Sequence, residues 1–122
     1  MKVGEVQSLA VNLFNVRSLK EVAIALRADS QVIEFAEIGP GQLLSVDGVP
    51  VVSQRQLEGA RASAQFRRAT PLAGGTGAVV VVSFRAVRAG EVTIFAESLV
   101  LGSDSGSNPF PVAGGVRVTV TP

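Results

Sequence analysis

The chain has 122 residues, 47% hydrophobic and 17% charged, enough apolar material for one core of ordinary domain size and too much for intrinsic disorder. Lys and Arg number 11 against 10 acidic residues, a near balance that argues against the dense basic field a nucleic acid requires. His, Cys, Trp and Tyr are all absent. Their absence disfavours acid–base or thiolate catalysis, softer metal sites and the aromatic platforms on which sugars commonly stack.

In chain order, Val6, Leu9, Val11, Leu13 and Val16 recur mostly at alternate positions and predict a first strand region. After Asn15 and Ser18, Glu21 to Arg27 alternates with Val22, Ile24 and Leu26 on one face, as a half-buried strand does. Val32 to Ile38 alternates again and places Glu34 and Glu37 on opposite faces, before Gly39-Pro40-Gly41 breaks the chain. Leu43-Leu44 follows, and Asp47-Gly48 between Val46 and Val49-Pro50-Val51-Val52 predicts a hairpin.

Gln54 to Ala69 is rich in helix formers, but Gly59 interrupts it, and Ala60, Ala62, Ala64 and Phe66 alternate with Arg61, Ser63, Gln65 and Arg67. Period two predicts a strand there. Pro71 to Gly77 reads as a Gly-rich connection, and Ala78 to Ala86 is the most β-prone stretch of the chain. Val92 to Ala96 and Leu99 to Leu101 extend, Gly102 to Pro109 reads as a surface loop, and Val116 to Val120 is a closing strand. Eight or nine short, turn-punctuated strands without a long helix predict an all-β antiparallel sandwich. The four phenylalanines Phe14, Phe35, Phe66 and Phe84 lie in apolar patterns and are expected in its core.

No apolar run approaches the roughly 20 residues of a membrane-spanning helix, so membrane insertion by this segment is not expected. Patterned sequence begins at once after Met1-Lys2-Val3, and residues 1–122 read as a single domain from a larger protein. The lack of cysteine excludes disulfides without fixing a compartment.

The order of these features resembles the cohesin family of β-sandwich modules. The resemblance runs from Val3-Gly4-Glu5 and Asn15-Val16 through the Val22–Leu26 strand to Asp29, Glu37-Ile38, Gly41 and Leu43-Leu44. Its densest part is Gly74-Gly75-Thr76-Gly77, the valine strand into Phe84-Arg85-Ala86, then Gly90-Glu91-Val92-Thr93-Ile94, the Asp104–Gly106 loop and the Val116–Val120 strand. The resemblance implies a nine-stranded jelly-roll sandwich that is non-catalytic, takes no cofactor and binds a protein partner, a dockerin-like module or a component of a secretion system. The Ala/Val/Arg-rich, aromatic-poor character is similar to the cohesin-like domains at the ends of secretins of type II secretion and pilus systems. That likeness implies a periplasmic, outer-membrane-associated or cell-surface setting within an exported protein.

Four groups of residues were candidates for chemistry. Gly74-Gly75-Thr76-Gly77 lacks the Lys-Ser/Thr and the following helix of a phosphate cradle. Asp104, Ser105, Gly106 and Asn108 supply one carboxylate, too little charge for calcium, and Asp29, Glu34 and Glu37 have no second acid–base partner. No catalytic, cofactor or metal residue is therefore assigned. Arg61, Arg67 and Arg68, with Arg55 nearby, form the most distinctive charged group, read either as a solvated face or as an anchor for an acidic protein.

The expected partner-binding face comprises Arg61, Ser63, Gln65 and Arg67, with Ala23 and Ala25 beside them. Phe110, held between Pro109 and Pro111, is a secondary candidate, either a core plug or an outward anchor. A purely structural spacer or assembly sandwich is the alternative function, and an enzyme comes third.

Overall fold

A computed structural model describes residues 1–103, 106–109 and 115–122, with the side chains of 107–109 left aside. Its strands are β1 (Val6–Ala28), β2 (Ile33–Pro40), β3 (Val51–Glu58), β4 (Arg61–Ala86), β5 (Gly90–Ser103), β6 (Gly106–Pro109) and β7 (Val116–Val120), with one 3₁₀ turn at Gln42–Ser45. Every ladder between named strands is antiparallel.

The two longest strands organise the molecule. The first part of β1 pairs with the last part of β4, Val6 opposite Arg85 and Leu13 opposite Gly77, and β2 adds on the far side of β4. The last part of β1 pairs with the first part of β4, Glu21 opposite Arg67 and Arg27 opposite Arg61, flanked by β3 and β5. Between the two parts the register shifts at Val11/Asn12, Leu13/Val16 and Leu19/Glu21, and Asn15 and Ser18 take φ of 55° and 54°. Such irregularities bend a strand. The β1–β4 ribbon thus runs through both layers of the sandwich, and what the sequence divides into separate strands is here continuous chain.

Alternation places Val22, Ile24, Leu26, Ala62, Ala64 and Phe66 from one layer against Ile33, Phe35, Ile38, Val80, Val82 and Phe84 from the other, all buried. At roughly 25 cal/mol per Å² of apolar surface removed from water, burial of this set is the main favourable term in folding. Gly41 donates its N–H to Val79 O at 2.9 Å, and a Cβ there would lie 2.2 Å from Ala78 O. Only glycine allows that approach, which seats the buried Leu43 and Leu44 under the sandwich.

Six expectations are corrected. Pro71 to Gly77 is strand, not connection: Gly74 and Gly75 pair with Arg17 and Val16, and a Cβ on Gly75 would meet Leu43 Cδ1 at 2.8 Å. The hairpin turns at Gly59, whose φ is 59°, and joins β3 to β4 within the segment read as one strand. Asp47-Gly48 makes no hairpin, because Leu43-Leu44 before it is a buried 3₁₀ turn rather than a strand. Residues 106–109 pair with Val100–Ser103 rather than looping free. A bulge between Phe35 and Glu37 shifts the register, so Glu34 and Glu37 are both exposed while Phe35 and Ile38 are both buried. Phe14 is 75% exposed, because alternation turns its neighbour Leu13 inward and leaves Phe14 on the outward row of β1.

Arg68 departs furthest from its expected place on a solvated face. It follows Ala62, Ala64 and Phe66 on the inward row of β4 and its side chain is fully buried. Its guanidinium donates to both Asp47 carboxylate oxygens, NH2 to Oδ2 at 2.6 Å and NH1 to Oδ1 at 3.0 Å. It also donates to Leu44 O, and its Nε donates to Thr70 O at 3.1 Å. Bidentate, charge-assisted pairing of this kind is the arrangement in which a buried arginine is tolerated. It ties the 42–49 segment to the sandwich.

Candidate functional site

The outward side of the β3–β4–β1–β5 layer carries all six expected partner-binding residues. Register places Gln65 opposite Ala23 and Ser63 opposite Ala25, with Arg67 opposite Glu21 and Arg61 opposite Arg27. Pairing on either side completes each row. Gln54, Gln65, Ala23 and Val100 form one; Gln56, Ser63, Ala25 and Ser98 form the next.

These two rows are uncharged, and together they line a shallow depression of about 360 Å³. Small Ala23, Ala25 and Ser63 make its floor because no side chain there rises above the pleat. A second depression of about 290 Å³ adjoins it, lined by Ala25, Gln56, Glu58, Arg61, Ser63 and Glu97.

Charge sits at the two ends. At one end Glu21 accepts from Gln65 Nε2 and, at 3.2 Å, from Arg67 NH2. The Gln65 hydrogen bond, then Arg67, holds the Glu21 carboxyl below the usual carboxylate range against an opposing desolvation. At the other end Arg27 stacks over the Phe95 ring at 4.7 Å and approaches Glu97 at 4.0 Å. Arg61, beside it, has no charged partner among the described residues and is exposed. The face therefore presents a neutral centre, a neutralised end, and an end with an unspent guanidinium.

Glu21, Arg27, Gln54, Gln56, Ser98 and Val100 were not anticipated. Reading Gly59 as the hairpin turn would have found Gln54 and Gln56, since that turn sets Gln56 opposite Ser63. Arg55 alternates to the other side of β3, where its NH1 donates to Ile38 O at 3.2 Å, and it also borders the depression between Gln54 and Gln56. Phe110 and the Asp104-Ser105 pair fall outside the described residues. Among the described residues no three acidic side chains converge as a metal group would require, and no helix is long and apolar enough to cross a membrane.

Comparison with solved structures matches this architecture over nearly the whole chain. A type II cohesin domain from the cellulosome of Acetivibrio cellulolyticus superposes with a TM-score of 0.72 at 18% identity, covering 97% of this chain and 88% of that one. The fold is that of the cohesin domains. A non-cellulosomal cohesin from the hyperthermophilic archaeon Archaeoglobus fulgidus matches at TM-score 0.75 and 16% identity, over 99% of this chain and 84% of that one. A type II cohesin from A. cellulolyticus, solved in a cohesin–X-dockerin complex, matches at 0.77 and 14% identity, over 99% and 93%. No protein-family model and no curated protein sequence matches the chain. The cohesin architecture is thus shared through packing at identities where side-chain roles do not transfer by position, and this face is read from its own residues.

Proposed function

We propose that this chain is a non-catalytic protein-binding module whose partner docks on the outward β3–β4–β1–β5 face. The observation that carries the reading is the face itself: a depression floored by Ala23, Ala25 and Ser63, bounded by the amides of Gln54, Gln56 and Gln65, and closed at one end by the unpaired Arg61. A floor without tall side chains lets a convex element, such as a partner's helix, approach the sheet. Gln54, Gln56 and Gln65 offer donors and acceptors for its backbone or polar groups, and Arg61 suits an acidic side chain at its end. The sharing of the cohesin fold with a protein solved in complex with a dockerin supports a dockerin-like partner. An exported setting, in a cell-surface or secretion-system protein of which residues 1–122 form one domain, fits the same reading.

The test is a two-site block. Ala25→Arg fills the floor and Arg61→Glu reverses the free charge, both on exposed or half-buried positions where surface substitutions usually change stability by about 0.5 kcal/mol or less. Binding to a dockerin panel, or to a partner captured from the envelope fraction, is expected to fall at least tenfold with each. Binding unaltered by both, with the fold intact by circular dichroism, points away from this face and toward a spacer role or another surface.

A further inference from the structure

Asp47-Gly48 is the chain's only Asp-Gly or Asn-Gly step. At such a step the backbone nitrogen of glycine, unhindered because glycine has no Cβ, can attack the aspartyl Cγ. The nitrogen gives up its proton, one carboxyl oxygen leaves as water, and a five-membered succinimide closes. Water then reopens the ring at the carbonyl next to Cα, leaving an isoaspartate whose main chain runs through Cβ and Cγ. The water lost in the first step is regained in the second, and no oxidant, reductant or further reactant takes part.

The attack needs a carboxyl that can be protonated and can turn its Cγ toward the nitrogen, and a nitrogen free to approach. The fold withholds each of these. Arg68 holds both carboxylate oxygens, NH2 to Oδ2 at 2.6 Å and NH1 to Oδ1 at 3.0 Å, and the Val49 N–H donates to Oδ1 at 3.2 Å. These bonds, those from Arg68 first, keep the Asp47 carboxyl below its ordinary range and hence in the ionised, less electrophilic form. The Gly48 N–H is itself engaged, donating to Ser45 O at 3.0 Å. Water is not excluded, since the Asp47 side chain is 42% exposed and Gly48 is exposed. Protection therefore rests on hydrogen bonds, and two of them come from a guanidinium anchored in the core.

We propose that Asp47-Gly48 is an isoaspartate modification site that the buried Arg68 fork holds shut, and that it reacts when the 42–49 segment lifts from the sandwich. The change then keeps the segment open. In isoaspartate the carboxylate hangs directly on Cα, one carbon shorter than the Asp47 side chain, while the main chain is one carbon longer. The fork no longer meets its two oxygens, and Arg68 would be buried without a countercharge among the described residues, which strongly disfavours reclosure. A transient opening becomes a lasting covalent mark. The site lies in the 42–49 segment and does not depend on the partner-binding reading.

Ageing of the full chain for several weeks at neutral pH tests it, at a temperature where every variant is folded by circular dichroism. Isoaspartate is counted by enzymatic methyl labelling and located by electron-transfer fragmentation. The parent in guanidinium sets the unprotected rate, and the folded parent should modify residue 47 about tenfold more slowly or less, because only its open fraction reacts. Arg68→Gln, which removes the fork, should approach the rate in guanidinium, and Arg68→Lys, which keeps the charge without the fork, should fall between. Phe66→Ala weakens the core but leaves Arg68 and Asp47 in place, and should stay protected. Modified parent, separated by ion exchange, should melt below the unmodified chain. A folded parent that reacts as fast as in guanidinium, Arg68 variants as protected as the parent, or equal modification of Arg68→Gln and Phe66→Ala would overturn the proposal.

Discussion

Arg68 and Asp47 form an asymmetric pair: the guanidinium is fully buried while the carboxylate is 42% exposed. Loss of the arginine would leave Leu44 O and Thr70 O without their donor beneath the 42–49 segment. Arg68→Ala is therefore expected to lower the melting midpoint by on the order of 10 °C, as calorimetry would read. The Arg68 hydrogen bonds are the largest cause holding the Asp47 carboxyl below its ordinary value, and Glu21 is lowered in the same sense by Gln65. A carboxylate depressed in the folded state contributes stability that is present above its unfolded pKa and lost as pH falls through the folded one. The midpoint should thus hold level from neutrality to about pH 5 and decline below about pH 4. Asp47→Asn should be less stable at neutral pH and draw level with the parent in acid; a constant gap between the two down to pH 2 would contradict the assignment. Phe14 and Phe66 give a further contrast. Phe66→Ala, at 1% exposure, should cost about 3–5 kcal/mol in denaturant melts, whereas Phe14→Ser, at 75% exposure, should change stability by about 0.5 kcal/mol or less.

At the scale of elements, period two was legible wherever the strand ran straight. Val22, Ile24 and Leu26, the Ala62–Phe66 row, and Val118 and Val120 lie inward as the alternation predicts, while Val116 at the start of its strand is exposed, and the same alternation brought Ala23, Ala25, Ser63 and Gln65 onto one face. It failed where the chain bends. The bulge at Phe35/Glu37 reverses the side Glu37 takes, whereas Phe14 faces out because period two itself turns Leu13 inward. Turn residues mark a reversal without saying what flanks it: Asp47-Gly48 follows a 3₁₀ turn, and the quieter Gly59 makes the hairpin. Glycines are ambiguous in the same way. Gly74 to Gly77 reads as linker by composition, but here the absence of side chains lets β1 and β4 cross under Leu43. Gly41→Ala separates the close-approach role from mere flexibility. With Ala78 O 2.2 Å from the new Cβ, a fall in melting midpoint of more than about 5 °C is expected, and tolerance of the change would mean that the 3₁₀ segment can lift away from β4.

For the whole molecule, two layers are joined by one ribbon. That β1–β4 ribbon carries an exposed trough over its Glu21–Arg27 half. The fold class was legible because it depends on periodicity and turns, both local. The trough was legible only in part, since Val100, Ser98, Gln54 and Gln56 join it through registers set by bulges and by a hairpin that alternation does not encode. The claim on which this account rests is that a protein partner occupies that trough. Titration of the captured partner against the parent chain, Ala25→Arg and, as a control on the opposite layer, Glu34→Arg measures it most directly. The account predicts at least a tenfold loss of affinity for Ala25→Arg alone. Equal affinity for all three, or a loss confined to Glu34→Arg, would contradict it.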